Sequence, residues 1–385
     1  MRFAFLIFKY FPFGGVQRDM LRIARELVRS GNTVDIYTMS WQGEMPEAGI
    51  NVHLIKAGGL LNHKRYENFI RQALAEIKNM HFDLVVGFNR MPGLDAYFAA
   101  DPCYEERARN ERSFFYRLLS RYKSFAACER AVFDASGKCE IMTLTPDAKA
   151  VFQRWYGTPD SRFHLLPPYL SAERMALKYR AEMRARVRQE FGLDAQDNIL
   201  LMVGSGFERK GLDRAILGLA ALPPALRSKT YLLVVGEGNE KKFNRMAKDL
   251  GIAENFHIAQ GRSDVPELMQ GADILVHPAL HEMAGNVILE AMASGLPVLP
   301  NAVCGFAFHV KQAKAGRLVP APFQQHEFNR LLREMLTSGK LEMWRENGIR
   351  YAQELMKAND GGAEAAILSA LAERKKSKEV THALS

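Results

Sequence analysis

The chain predicts an α/β protein built as two domains in tandem, each a doubly wound parallel sheet. Three observations lead there. At 385 residues, it is longer than one compact core usually supports. Short β-rich runs alternate with amphipathic stretches twice along the chain, the pattern of βαβ units on a parallel sheet. Pro167-Pro168 divides the two series, because neither proline donates a ladder hydrogen bond and Pro168 also restricts Pro167. The expected domains are 1–167 and 168–356, with a C-terminal helix of about 357–385 packing back on the first.

In the first series, Phe3 to Phe8, Thr33 to Met39, Val52 to Lys56 and Leu84 to Phe88 read as strands, and Val16 to Arg29 and Arg65 to Asn79 as helices. Met20, Ile23, Ala24 and Leu27 recur at helical spacing, while Arg22, Arg25 and Arg29 face elsewhere. A charged, aromatic stretch from Tyr104 to Phe133 interrupts the alternation, which resumes with strands at Glu140 to Thr145 and Phe163 to Leu166 around an Asp147 to Trp155 helix. After a basic helical segment, Glu173 to Phe191, the second series places strands at Ile199 to Gly204, Tyr231 to Gly236, Phe256 to Ala259, Ile274 to Pro278 and Pro297 to Pro300. Phe323 to Leu336 and Leu341 to Met356 read as helices, and Arg374 to Lys378 as a frayed, solvated tail. Loops at the carboxyl ends of two such sheets create a cleft where ligands bind.

Composition narrows the classes. Hydrophobic residues at 48% and charged residues at 25% are ordinary for a soluble globular chain. The opening MRFAFLIF is a core strand rather than a signal peptide, and no apolar run reaches the roughly 18 residues of a membrane span. Cys103, Cys128, Cys139 and Cys304 form no C-x-x-C pair, which argues against a zinc knuckle or a disulfide framework and fits a reducing compartment. A net charge of +9 suits a polyanionic partner: nucleic acid, an anionic membrane or a phosphorylated substrate.

The most informative stretch is HEMAGNVILEAMASGLPV, His281 to Val298. It places Glu282 before a helix start and Glu290, eight positions on, inside the helix, about two turns along at roughly 1.5 Å of rise per residue. Ala284, Gly285, Asn286 and Val287 offer the backbone amides of the first turn, an anion cradle. Carboxylates on both sides of it suit a sugar nucleotide, with Glu282 on the transferred sugar and Glu290 on the ribose. A buried helix with one capping and one solvated acid is the plainer reading.

Gly204 to Gly211 occupies the first turn of the second domain, where Arg209 can bind a pyrophosphate bidentately and Lys210 can add a compact charge; a solvated pair is the alternative. Arg174 and Arg262 are weaker candidates for the same task. In the first domain, Gly14-Gly15 either lets a ligand approach or makes a tight turn. Asp19 either binds an acceptor hydroxyl or favours its helix start. The sequence there is not G-x-G-x-x-G, which weighs against a nicotinamide enzyme. Histidines lack ligand spacing and no Asp-x-Asp pair ends a strand, so no metal and no cofactor is expected; His277, His281 and His309 read as structural or lining residues.

Between Tyr104 and Phe133, Arg107, Arg109, Arg112, Arg117, Arg121, Lys123 and Arg130 interleave with Phe114, Phe115, Tyr116, Tyr122 and Phe125. Basic plus aromatic is an interfacial composition, so this segment is the expected contact with an anionic membrane. An ordinary helix pair packed on the sheet is the alternative, and no nucleic-acid motif accompanies the charge.

KYFPFGGVQRDMLRIA, GFNRMPGLDAYFAADPCYEE, YRLLSRYKSFAACERAVF, and EMAGNVILEAMASGLPVL followed by AVCG resemble the lipopolysaccharide core glucosyltransferases that add the first glucose of the outer core, within retaining glycosyltransferase family four. The resemblance implies a GT-B fold, two Rossmann-like domains facing across a cleft. It also implies UDP-glucose as donor, a heptose of the lipopolysaccharide inner core as acceptor, and a peripheral enzyme on the cytoplasmic face of the inner membrane. By position it assigns Glu282 to the donor sugar, Glu290 to the ribose, and Arg209 with Lys210 to the diphosphate. Asp19, Arg174 and Arg262 fall on matching sites, and Asp101 stands where the broader family places a His, making it the candidate for orienting the sugar. Tyr169 replaces a usual Gly, and Phe306, Phe308 and His309 alter a loop expected to face the ligand. Alternatives are another UDP-sugar or acceptor, an epimerase or dehydrogenase, or a non-catalytic basic adaptor for membrane or nucleic acid.

Overall fold

The computed structural model describes residues 1–12, 14–170, 180–359 and 361–383. The chain divides into two units, Met1–Pro167 with Gly361–Ser385, and Pro168–Asp360.

Unit 1 runs β1 (Arg2–Leu6), α1 (Gly15–Arg29), β2 (Thr33–Thr38), β3 (Ile50–Leu54), α2 (Asn62–Lys78), β4 (Leu84–Gly87) and β5 (Ala96–Ala99). It continues through α3 (Tyr104–Glu111), a 3-10 turn (Phe114–Leu118), α4 (Ser120–Phe133), β6 (Glu140–Thr143), α5 (Pro146–Tyr156) and β7 (Phe163–Leu165). Its sheet is parallel, in the order β3-β2-β1-β4-β5-β6-β7. The period of two along a strand sorts β1 between two cores. Phe3, Phe5 and Ile7 pack with Met20, Ile23, Ala24 and Leu27 of α1. Ala4 and Leu6 face the other way, onto Phe69, Ile70, Ala73 and Ile77 of α2. Both faces are therefore covered, as a parallel sheet requires.

Unit 2 contains α6 (Arg180–Glu190), β8 (Asn198–Val203), α7 (Phe207–Lys210), α8 (Leu212–Ala220), α9 (Pro224–Arg227), β9 (Thr230–Val235), α10 (Glu240–Asp249) and β10 (Phe256–Ala259). Then come α11 (Val265–Gly271), β11 (Ile274–His277), α12 (Asn286–Ala293), β12 (Val298–Pro300), α13 (Ala307–Ala313), α14 (Gln325–Thr337) and α15 (Leu341–Ala358). The sheet is again parallel, ordered β10-β9-β8-β11-β12. Leu200 and Met202 of β8 bury against Leu212, Ile216 and Leu219 of α8, Phe243 of α10 and Phe328 of α14. A buried carboxylate, Asp273, ties the start of β11 to its surroundings. It accepts from Ile199 N at 2.9 Å and Arg188 Nη2 at 2.7 Å, and it also pairs with Arg184 and, at 3.4 Å, Arg345.

α16 (Ala363–Ala383) returns to unit 1, where Leu368, Leu371 and Ala372 join the core beside α1. Arg22 of α1 holds its start through Glu364 at 2.6 Å and the carbonyl of Gly361 at 2.7 Å. The basic run expected to fray is helical here. Arg374 pairs with Glu140, and Lys375 lies 2.8 Å from Asp95.

Two further readings of the sequence need correction. β5 lies where no strand was expected, because AYFA is only four residues long between Pro92-Gly93 and Asp101-Pro102. With β5 in place, Tyr104 to Phe133 no longer interrupts the pattern: α3, the 3-10 turn and α4 form the crossover from β5 to β6. Of the basic segment Glu173 to Phe191, residues 173–179 lie outside the described residues.

Candidate active site

In a doubly wound sheet, ligands bind beyond the strand carboxyl ends where the strand order reverses. In unit 2 that point falls between β8 and β11, since the chain moves from β8 toward β9 and from β11 toward β12. The loop after β8 leads into α7 with Arg209 and Lys210; the loop after β11 carries Pro278 to Gly285 into α12. These loops touch. Leu280 N donates to the Arg209 carbonyl at 2.9 Å. Gly211 sits at φ 76°, and a Cβ there would stand 2.1 Å from the Pro278 carbonyl oxygen, so a side chain is excluded by both backbone conformation and space.

Glu282 is held between the two loops. Arg209 Nη1 donates to its carboxylate at 3.1 Å, Lys210 Nζ also donates to it, and His277 Nε2 stands 3.6 Å away. The Lys210 and Glu282 side chains are 10% and 15% exposed. Burial alone would raise the Glu282 carboxyl, but His277, Lys210 and Arg209 together hold it well below the usual carboxylate range. Burial pushes the His277 imidazole down, against the opposing pull of the Glu282 carboxylate. Two cations around one carboxylate leave a positive excess, with Lys210 screened from water and Arg209 43% exposed.

That excess adjoins a helix start. α12 begins at Asn286, with Gly285 at the N-cap and no side-chain cap. Ile288 N is already bonded to the Gly285 carbonyl at 2.8 Å, so the Asn286 and Val287 amides are the ones turned outward without a partner in the helix. Ala284, expected in the first turn, precedes the N-cap, and its carbonyl accepts from Phe306 N at 2.7 Å. Glu290 is the fifth residue of α12, little more than one turn along rather than two, and it is partly buried. Gly305 N donates to the Glu282 carbonyl at 3.1 Å, bracing the loop from behind. In the altered loop, Phe306 and His309 turn inward, His309 Nδ1 meeting Tyr351 Oη at 2.7 Å, while Phe308 is exposed.

Arg174 lies outside the described residues. Arg262 is already committed to two carboxylates, Asp264 at 2.6 Å and Glu190, and among the described residues no hydrogen bond or ion pair joins it to the Glu282 cluster.

In unit 1 the strand order reverses between β1 and β4, and Phe8 N donates to Asn89 Oδ1 at 2.8 Å across that point. Gly14 is the N-cap of α1 and Gly15 its first residue; a Cβ on Gly15 would meet nothing within 4 Å. Asp19 lies beyond the first turn of α1, which contains no acid, so it does not act on the helix start; it is 3.8 Å from Arg22. Asp101 is exposed in the loop after β5. Two residues that the sequence did not single out fix that loop. Arg90 Nη2 donates to the Asp101 carbonyl at 2.6 Å, and Arg90 Nη1 lies 2.9 Å from the buried Glu129 carboxylate. Glu129 accepts in turn from Tyr104 N at 2.7 Å and Glu105 N at 2.9 Å, at the start of α3.

The basic and aromatic segment divides by partner. Arg107 pairs with Glu111, Arg109 with Glu105, Tyr122 donates to Glu105, and Tyr116 hydrogen-bonds Tyr104, so these four are engaged within the segment. Phe114, Phe115, Leu118 and Leu119 are exposed, Phe115 to 75%. Arg117 lies over the Phe114 ring, Arg112 over Tyr116 and Arg121 over Phe125; Lys123 is exposed. Among the described residues no helix is long and apolar enough to cross a membrane, and no group of three or more His, Cys, Asp or Glu is placed to hold a metal.

The chain matches two family models, Glycosyltransferase Family 4 over residues 13–174 and Glycosyl transferases group 1 over residues 183–351. It is 45% identical over 350 residues to the lipopolysaccharide glucosyltransferase WaaG of Escherichia coli K12, covering 91% of this chain and 93% of that one. A D-inositol 3-phosphate glycosyltransferase of Nocardiopsis dassonvillei is 25% identical, over 86% of this chain and 84% of its own. The crystal structure of WaaG superposes with a TM-score of 0.88 at 45% identity, over 91% of this chain and 95% of WaaG. Anabaena HepE in complex with UDP and glucose shares the fold at a TM-score of 0.73 and 17% identity, covering 96% of this chain and 100% of its own. The fold is GT-B, and this chain is a glycosyltransferase belonging to the family of lipopolysaccharide glucosyltransferases that includes WaaG.

Proposed function

We propose that the protein transfers glucose from UDP-glucose to a heptose of the lipopolysaccharide inner core, retaining the anomeric configuration and using no metal. The observation that carries this reading is the Glu282 cluster: a carboxylate held by Arg209 and Lys210 at the switch point of unit 2, in front of the α12 amides. In this reading unit 2 binds the nucleotide sugar and unit 1 the acceptor. Lys210, Arg209 and the Asn286 and Val287 amides take the diphosphate, Glu282 a hydroxyl of the glucose and Glu290 the ribose. As the bond from the anomeric carbon to the diphosphate oxygen breaks, charge grows on that oxygen and the fixed cations and amides stabilise it more strongly than in the ground state. The acceptor hydroxyl attacks from the same face, passing its proton to the departing diphosphate. Gly14, Gly15 and Asp19 contribute from unit 1, and Asp101, held by Arg90, orients the sugar.

A donor screen tests it: UDP-glucose, UDP-galactose and UDP-N-acetylglucosamine with defined truncated lipopolysaccharide acceptors, the product anomer read by NMR. UDP-glucose is expected to dominate, with retention. Inversion, or a preference for another donor, would overturn the assignment.

The exposed Phe114, Phe115, Leu118 and Leu119 beside Arg112, Arg117, Arg121 and Lys123 support a reversible contact with the anionic cytoplasmic face of the inner membrane. Each basic side chain near such a surface contributes about 1 kcal/mol. Sedimentation with vesicles is expected to show binding to anionic but not neutral lipid, weakening as salt rises. Binding that salt leaves unchanged would exclude this electrostatic mode.

A further inference from the structure

Unit 1 has a recess that the donor chemistry leaves unused. It opens beyond the carboxyl ends of β1, β2 and β3, holds about 500 Å³, and is lined by Lys9, Met39, Ser40, Ile55 to Gly59, and Arg65. Its lining includes three cations and no carboxylate. None of Lys9, Lys56 and Arg65 forms an ion pair among the described residues, in a chain whose other arginines are widely paired. Lys9 and Lys56 are exposed and Arg65 is half-buried, so the recess presents a positive potential to an approaching anion.

The rim is held in place. Gly59 has φ 151°, and a Cβ there would stand 2.8 Å from Arg65 N, so this loop folds directly onto the first turn of α2. Arg65 Nη2 donates to the Gly59 carbonyl at 3.2 Å and Asn68 Nδ2 to the Gly58 carbonyl at 2.8 Å. On the other side, Tyr10 N donates to Ser40 O at 2.9 Å and the Tyr10 and Trp41 rings stack at 3.7 Å, locking the loops after β1 and β2 together. The backbone around the recess is therefore fixed before a ligand arrives, which leaves only the exposed side chains to be ordered.

We infer that this recess is an anion subsite for the acceptor, engaging a phosphate or carboxylate carried on the acceptor glycan through Lys9, Lys56 and Arg65. The inference rests on the acceptor binding to unit 1, as proposed above. It makes acceptor charge, rather than sugar shape alone, part of what the enzyme selects.

Lys56→Ala and the double variant Lys9→Ala/Lys56→Ala separate the two readings, with acceptor binding measured by calorimetry and turnover measured with UDP-glucose. The double variant is expected to weaken acceptor binding and raise acceptor KM roughly tenfold or more, each lost charged contact counting separately. Donor KM should stay within about twofold. Dephosphorylated and carboxyl-esterified acceptors identify the anion: for whichever modification removes the partner, wild type should fall to the level of the variant, and the variant should not fall further. Unchanged acceptor affinity in the double variant would overturn the subsite even with full transferase activity. Lysine-dependent acceptor binding by an enzyme that turns over no UDP-sugar would sustain the subsite and overturn the donor assignment instead.

Discussion

Replacing Lys210 with alanine is expected to lower kcat by two to three orders of magnitude, with a much smaller change in donor KM. The size follows from what such a cation does. Removing one preorganised group that stabilises developing charge costs about 2.7–4 kcal/mol of the barrier, and Lys210 is screened from water at 10% side-chain exposure. The loss should fall on kcat because the leaving oxygen carries more charge in the transition state than in the bound donor. Lys210→Arg should rescue poorly, since a planar fork does not replace a compact ammonium at the end of a four-carbon stem.

A pH profile adds a readout that a misfolded variant would not give. In the wild type, Glu282 stays ionised throughout the working range because its neighbours hold it below the usual carboxylate range against the opposing effect of burial. Without Lys210 one of the lowering contacts is gone while burial remains, so the acid limb of kcat should move to higher pH. A variant with kcat within about threefold of wild type and an unmoved acid limb would remove Lys210 from the chemistry.

The second large effect concerns stability. Asp273→Asn should destabilise unit 2 by about 3–5 kcal/mol, the usual cost of breaking a buried ion pair by removing one partner. Asparagine can still accept from Ile199 N, yet Arg188, at 3% side-chain exposure, would lose the carboxylate that compensates it, and Arg345, at 8%, would keep only Glu342. Trp344, which packs in the unit 2 core, reports this unfolding in urea once Trp41 and Trp155 are replaced by phenylalanine. Replacing Asp273 and Arg188 together by apolar residues should recover part of the loss. A change below about 1 kcal/mol in the single variant would show that the arginines find other compensation.

What the sequence revealed and what it hid divide along physical lines. The parallel alternation was legible because it is local: a run such as ILLMV declares a buried strand, and Met20, Ile23, Ala24 and Leu27 declare one helix face. Glu282, Arg209 and Lys210 were legible because loops after neighbouring strands of such a sheet converge. β5 was hidden by its length, and the helicity of Arg374 to Lys378 by its charge. Local composition reads that run as solvated, whereas Glu140, at the start of β6, and Asp95, just before β5, receive two of its cations. Arg90 with Glu129, Asp273 with its arginines, and the recess at Lys9, Lys56 and Arg65 were hidden for the same reason. Each joins residues far apart in the chain, and no period in the sequence encodes such a meeting.

α16 closes the hydrophobic layer over β1 and α1 with Leu368, Leu371 and Ala372, although the whole of unit 2 lies between β1 and α16 in the chain. A ribosome working from the N-terminus therefore emits the whole of Pro168–Asp360 before that layer can be sealed. The later half can mature while the earlier half still waits for its lid. During that interval the part of the layer that α1 does not cover stays exposed, a surface that chaperones can bind, and termination before Leu368 leaves that part without its lid.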